Sequence, residues 1–91
     1  MVKMILDGRE IATREQLHQK LAQGLGLPGY YGANLDALFD CLTDLREEAC
    51  LHILHGRELR EGLGPYADVL AEVLGQAAEQ NPRFTFSVEE E

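Results

Sequence analysis

The chain has 91 residues, a length that fits one ordinary domain and is too short for two. It is 45% hydrophobic and 26% charged, as folded proteins usually are, and no apolar run is long enough to span a membrane. The formal net charge of -8 argues against direct nucleic-acid binding, because phosphate contacts need clustered Lys and Arg. We therefore expect one domain over residues 1–91, monomeric when free, and a cytoplasmic location because no signal-peptide pattern opens the chain.

The opening residues predict a strand and a helix. Residues 2–6 form a short apolar run that ends at a turn, which is typical of a strand. Thr13 and Gln16 have the spacing of a capping box, so the helix should begin at Thr13. One apolar stripe follows at four-residue spacing: Leu17, Leu21 and Leu25. Glycines and Leu27-Pro28 then predict the end of this helix.

The middle of the chain predicts a second helix and a second strand. Asn34 is a good N-cap, and the residues behind it have helical apolar spacing. The apolar face of this helix consists of Leu35, Leu38, Phe39 and Leu42. Ala49–Leu54 is the second apolar run with strand composition.

The last part of the chain predicts a short helix around residues 57–61, a long helix and a third strand. Pro65 suits the first position of the long helix, and Asn81-Pro82 should stop it. The predicted inner face of this helix is Tyr66, Val69, Leu70, Val73, Leu74 and Ala77. Phe84–Val88 alternates apolar and polar side chains as a strand does, and residues 89–91 should form a solvated tail.

Strands that alternate with helices indicate crossover connections and a parallel sheet. The predicted fold class is therefore α/β, with a small three-stranded parallel sheet packed with three to four helices. We find no internal repeat and no low-complexity linker in the sequence.

The sequence offers little for catalysis or for metal binding. It contains no phosphate-binding glycine motif, and its one serine, Ser87, follows no nucleophile elbow. His52 and His55 should point to opposite faces of a strand, and His18 should be exposed, so we expect no metal site. Cys41 and Cys50 are expected to be reduced core cysteines, and the acidic neighbours of Cys41 should raise the pKa of its thiol. We expect no enzyme activity and no cofactor.

The most unusual pattern is a row of acids on the predicted second helix. Asp36, Asp40 and Asp44 recur every four residues, and no Lys or Arg stands three or four positions away from them. Like charges at this spacing destabilise a helix by about 0.2–0.5 kcal/mol per pair. Such a local cost is expected more often at a functional site than elsewhere, although a merely solvated face has the same pattern.

The surroundings of this row favour a protein partner. The whole excess of negative charge lies after Leu27, and its natural complement is a basic protein. Tyr30 and Tyr31 offer aromatic area with a hydrogen-bonding tip of the kind that binding sites use, although Tyr31 is expected to anchor its loop to the core. Charge alone would also fit a surface that is acidic only for solubility.

At these residues the sequence resembles the barstar family of intracellular inhibitors of barnase-type ribonucleases. The residues that carry the likeness are Leu27-Pro28, Tyr30-Tyr31-Gly32, Asn34-Leu35-Asp36-Ala37-Leu38 and Asp40-Cys41-Leu42-Thr43. An L-H-Q-x-L helix at residues 17–21 and an F-T-F ending extend it along the chain. The resemblance implies a three-stranded parallel sheet with helices and a non-enzymatic immunity protein. Its second helix and the preceding loop would block the active site of a basic, extracellular-type ribonuclease.

The resemblance also implies roles for individual residues. Asp40 would be the central phosphate mimic, and Asp36 would make a second charged contact. Asp44 stands where the family has a glycine, Leu45 where it has an aromatic residue, and two glutamines where it has glutamates. The predicted partner-binding residues are Tyr30, Asn34, Leu35, Asp36, Phe39, Asp40, Thr43, Asp44, Leu45, Gln76 and Gln80.

Two other functions stay open at this point. The first is an adaptor or regulatory protein of the same fold that binds another basic protein. The second is a small enzyme that uses Asp36 and Asp40 as paired acids, which would require a concave site around both carboxylates.

Overall fold

The computed structural model describes residues 1–91 and confirms the predicted fold class. The elements are β1 (Val2–Asp7), a 3-10 turn (Gly8–Glu10), α1 (Arg14–Leu25), α2 (Leu35–Thr43), β2 (Ala49–Leu54), α3 (Gly56–Leu63), α4 (Pro65–Gln80) and β3 (Phe84–Val88). A three-stranded parallel sheet is packed with four helices. No helix combines the length and the apolar composition that crossing a membrane would need.

The sheet places β2 in the centre, with β1 and β3 as its two edges. Ala49 of β2 lies opposite Val2 of β1 and opposite Phe84 of β3, and both pairings are parallel. Alternate residues of β2 are buried, because successive side chains of a strand point to opposite faces. The helices therefore cover one face of the sheet with a single hydrophobic cluster.

The cluster takes side chains from every helix and strand. Its largest fully buried members are Phe84, Leu6, Leu17, Leu21, Leu38, Leu42, Leu51, Leu70 and Leu74. Burying one leucine side chain contributes about 1.5–3 kcal/mol, so α2 is strongly held by Leu38 and Leu42 alone. This packing decides which face of α2 remains in solvent.

The predicted helix ends are confirmed by their hydrogen bonds and dihedral angles. The Gln16 N–H donates to Thr13 Oγ1 at 3.1 Å, and the Thr13 N–H donates to Gln16 Oε1 at 3.2 Å, which completes the capping box. Gly26 follows α1 with φ of 65°, a left-handed conformation that favours glycine. Pro65 occupies the first turn of α4, as expected.

The predicted inner face of α4 was wrong at Val69, which is 46% exposed. The buried stripe is Ala67, Leu70, Leu74 and Ala77, and Val69 lies outside it. Val69 has the same helical apolar spacing as the buried residues, so the sequence does not distinguish it from them. Only the packing of α4 against the core decides which flank of its apolar stripe is buried.

Residues 89–91 do not form a free tail. The Glu89 N–H donates to the Ile53 carbonyl at 2.8 Å, and the Gly56 N–H donates to the Glu89 carbonyl at 2.8 Å. The Arg60 guanidinium donates to the Glu90 carboxylate at 2.7 Å. The first N–H groups of α3 have no acceptor within the helix, and the carbonyls of Glu89 and Glu90 accept from the N–H groups of Gly56 and Arg57.

Candidate functional site

The acidic helix α2 begins at a hydrogen-bonded N-cap residue, Asn34. The Ala37 N–H donates to Asn34 Oδ1 at 2.8 Å, and the Asn34 side-chain amide donates to the Gly32 carbonyl at 3.2 Å. Asn34 thus holds both the first turn of the helix and the loop before it. The structure confirms Asn34 as the N-cap that the sequence predicts.

The two faces of α2 differ sharply in burial and charge. Leu38 and Leu42 are completely buried, whereas Asp36 and Asp40 are exposed and make no ion pair. Helical spacing therefore places two members of the predicted row, Asp36 and Asp40, on the exposed face of α2.

Asp44 lies just beyond α2 rather than in its last turn. It is the C-cap residue, and its N–H donates to the Asp40 carbonyl at 3.1 Å. Its exposed carboxylate stands at the negative end of the helix dipole without an ion pair, which is an unfavourable position for an acid. Nothing in the intramolecular contacts explains an aspartate here.

The two tyrosines before α2 have different environments, as predicted. Tyr30 is 84% exposed, the largest exposed fraction among the large apolar side chains. Tyr31 is half-buried and packs against the core cluster, and its N–H donates to the Pro28 carbonyl at 3.0 Å. Tyr31 therefore anchors the loop, and Tyr30 is left facing solvent beside α2.

The expectation that His18 is exposed was wrong, because only 2% of the residue is accessible. One ring nitrogen, Nδ1, hydrogen-bonds to the Tyr31 hydroxyl, and the other, Nε2, lies 2.7 Å from the Tyr66 hydroxyl. Burial lowers the pKa of His18. Its spacing of three and seven residues from Leu21 and Leu25 was the available signal, since it places His18 on the flank of the apolar stripe.

The remaining predicted contact residues fall into two groups. Leu35, Phe39 and Leu45 are half-buried and pack against the core, so each offers only part of its side chain to a partner. The half-buried Thr43 donates its hydroxyl to the Phe39 carbonyl at 2.9 Å. The exposed residues at the far end of α4 are Gln76 and Gln80, and α4 packs against α2.

Two separate depressions lie on the surface around α2. A shallow one of about 350 Å³ is lined by Tyr30, Asp40, Cys41, Thr43 and Asp44. A larger groove of about 880 Å³ lies between α1, the start of α4 and the loop, with Asp36 at its edge. The two carboxylates therefore do not share one concave site, which argues against the paired-acid enzyme. Gln76 and Gln80 line neither depression.

Cys41 lies in the smaller depression, where it is half-buried. Burial raises the pKa of its thiol, and the nearby carboxylates of Asp40 and Asp44 raise it further. The predicted direction is confirmed, and the thiol is protonated at neutral pH and weakly nucleophilic. No group of three or more His, Cys, Asp or Glu side chains is placed to hold a metal ion.

The fold and this surface define a small α/β protein that presents unpaired carboxylates along one well-anchored helix. The profile of the family described as Barstar (barnase inhibitor) matches residues 1–90. The chain is also 43% identical over 81 residues to a protein of Bacillus subtilis (strain 168) named "Putative ribonuclease inhibitor YrdF", which covers 88% of this chain and 89% of that relative. The chain therefore belongs to the barstar family.

Proposed function

We propose that residues 1–91 act as a single domain that inhibits a basic ribonuclease of the barnase type. Helix α2 and the loop before it would enter the nuclease active site and exclude RNA. The protein would act without enzyme activity, as an immunity protein in the cell that makes the nuclease. The membership of the barstar family and the name of its Bacillus relative support this function.

The observation that carries the proposal is the unpaired state of the carboxylates on α2. Asp36 and Asp40 are exposed on a helix whose opposite face is fully buried, and neither is neutralised within the protein. A nuclease site that holds phosphate with cationic side chains would accept a fixed carboxylate through charge-assisted hydrogen bonds. Because α2 is already folded and packed through Leu38 and Leu42, binding has to order only the aspartate side chains and not their backbone, which helps them compete with a flexible substrate.

Around Asp40 the proposed contact surface has the mixed chemistry of a binding site. Tyr30, Thr43 and Asp44 share its depression, which gives an aromatic side chain, a hydroxyl and a second acid. A few such residues commonly carry most of the binding energy, and the barnase–barstar pair is itself a standard example of this behaviour. We propose Asp40 as the central contact and Asp36 as the second, with Asn34, Leu35, Phe39, Leu45, Gln76 and Gln80 around them.

Long-range electrostatics should also favour a basic partner. The chain carries 16 acidic against 8 basic side chains, and its excess of acids begins after Leu27. Complementary potentials raise the association rate and reject partners of like charge.

The direct experiment is an inhibition assay. The purified protein is titrated into several small basic ribonucleases of the barnase type, including one from the same organism, while RNA cleavage is followed. We expect at least one nuclease to lose activity at a one-to-one ratio. Full cleavage by all of them at low salt, where electrostatic attraction is strongest, would contradict the proposal.

A further inference from the structure

Three aromatic side chains from separate parts of the chain meet beneath the larger groove, and we refer to His18, Tyr31 and Tyr66 as the His18 cluster. His18 comes from α1, Tyr31 from the loop before α2, and Tyr66 from the first turn of α4. Both ring nitrogens of His18 have a tyrosine hydroxyl as partner. The Arg14 guanidinium lies 4.1 Å from the centre of the Tyr66 ring and adds a cation–π contact.

The hydrogen bonds of the His18 cluster are self-consistent when all three groups are neutral. A neutral imidazole has one donor nitrogen and one acceptor nitrogen, and each faces one phenol here. Burial lowers the pKa of His18 and raises the pKa values of Tyr31 and Tyr66, so each neutral form is favoured. Such a chain of bonds in a partly dry site polarises its members and favours one geometry.

The cluster connects α4 to the loop that is proposed to meet the nuclease. Nine residues, 26–34, separate α1 from α2, and Tyr31 is the one among them whose side chain hydrogen-bonds to His18. Tyr30, its neighbour, is almost fully exposed, so the direction of Tyr30 follows from how firmly Tyr31 is held. Ala33 has φ of 52°, a left-handed conformation that non-glycine residues adopt only when their surroundings enforce it.

We propose that Tyr66, acting through His18, is a positioning residue for the loop before α2. It fixes Tyr31 and thereby the placement of Tyr30 and the first turn of α2. The part of this inference that concerns affinity rests on the proposed inhibitory function. The part that concerns order of the loop is a property of the free protein and is measurable without a partner.

The test compares Tyr66→Phe with Tyr31→Phe and the double variant. Each change removes one hydroxyl and keeps the ring, so the packing and the Arg14 contact are retained. Ile53→Val is the matched control, because Ile53 is buried in β2 beside α3 and is not part of the His18 cluster. Removing one buried methylene group there lowers stability by an amount similar to that of one lost hydrogen bond.

Two readouts are measured for each variant: amide hydrogen exchange in the free protein at Tyr31, whose N–H donates to the Pro28 carbonyl, and the Kd for the inhibited ribonuclease. We expect Tyr66→Phe to speed exchange in this loop by roughly 2- to 10-fold, the ratio that one neutral hydrogen bond accounts for. The Kd should rise measurably, by at most the same factor, because a less ordered loop is binding-competent for less of the time. The effects of the two tyrosine changes should be less than additive, since either one interrupts the same chain of bonds.

A structural contribution alone would give the opposite pattern. The positioning role is excluded if Tyr66→Phe lowers stability as much as Ile53→Val does and neither variant changes loop exchange or the Kd. Faster exchange with an unchanged Kd would also overturn it, because the loop order would then be irrelevant to binding. If the wild-type protein binds no ribonuclease, the proposed function and the affinity part of this inference fail, while loop exchange in the free protein still tests the positioning role. If Asp40→Asn weakens binding but Tyr66→Phe changes neither the Kd nor loop exchange, only the inference about Tyr66 is overturned.

Discussion

The side-chain amide of Asn81 donates to the carbonyl of Leu42 at 2.9 Å and connects the end of α4 to the end of α2. The same amide lies 3.2 Å from the Leu45 carbonyl, and Asn81 is only 6% exposed. The last carbonyls of a helix lack N–H donors within it, so Asn81 supplies a donor to a carbonyl that would otherwise be buried and unpaired. With Asn34 at its start and Asn81 at its end, α2 is held at both termini.

The first prediction follows from this contact. Asn81→Ala and Asn81→Asp should each lower the free energy of unfolding by about 1–3 kcal/mol, because a buried carbonyl loses its donor. The ionised aspartate cannot donate, and its charge would face carbonyl oxygens, so it should be the worse of the two. Urea unfolding measures the change, with Glu79→Ala, at an exposed site on the same helix, as the control. Wild-type stability in Asn81→Asp would refute the capping role.

The second prediction concerns Asp44 and the cost of its charge. Asp44→Asn keeps the shape of the side chain and should raise the free energy of unfolding by about 0.3–1 kcal/mol, because the charge stands at the negative end of α2. The gain should shrink at high salt, where exposed charges are screened. Thermal unfolding at two salt concentrations measures it. A loss of stability on removing the charge would show that Asp44 has a favourable contact in the fold.

The third prediction is a pH dependence of stability that His18 causes. Its folded pKa is lowered below the ordinary value of 6.5 by burial, so the unfolded chain binds more protons below that pH. The contribution of His18 to stability is therefore complete above about pH 6.5 and is lost as pH falls through the folded pKa. Urea unfolding of wild type and His18→Gln across this range isolates the effect, since every other titrating group is common to both. Equal pH slopes for the two proteins would contradict it.

The sequence predicted the elements well because their signals are local. The capping box at Thr13, the N-cap at Asn34 and the bounds Ala49–Leu54 are determined by residues within a few positions of each other. The acidic row was predictable for the same reason, because four-residue spacing places Asp36 and Asp40 on one face of any helix.

The sequence could not predict the side-chain hydrogen bonds between residues that are far apart in the chain. His18 meets Tyr66 across 48 positions, and Asn81 meets Leu42 across 39. The spacing of His18 indicates its burial, but no local pattern identifies Tyr66 as its partner, and an asparagine before a proline has an ordinary local explanation. Val69 was misplaced for a related reason, because packing alone selects the flank of α4 that is covered.

The fourth prediction is that association with the nuclease depends on salt. The association rate constant should fall steeply as ionic strength rises, because screening shortens the range of the attraction to about 10 Å at 0.1 M salt. The dissociation rate constant should change much less, since contacts at the centre of an interface are shielded from solvent. Stopped-flow mixing measures both. An association rate that is independent of salt would contradict a contribution of the acidic surface to recognition.

The measurement that tests the central claim most directly is the Kd of Asp40→Asn against an inhibited ribonuclease. This change removes one charge and keeps the shape of the side chain. Its matched control is Asp68→Asn, because Asp68 is also an exposed helical aspartate but lies at a groove beside α3 and β3, away from the proposed surface. Asp40→Asn should raise the Kd by about 30-fold or more, the effect of losing a central contact worth about 2 kcal/mol, and Asp68→Asn by about twofold or less. Equal effects of the two variants would contradict the account, because Asp40 would then be one surface charge among many.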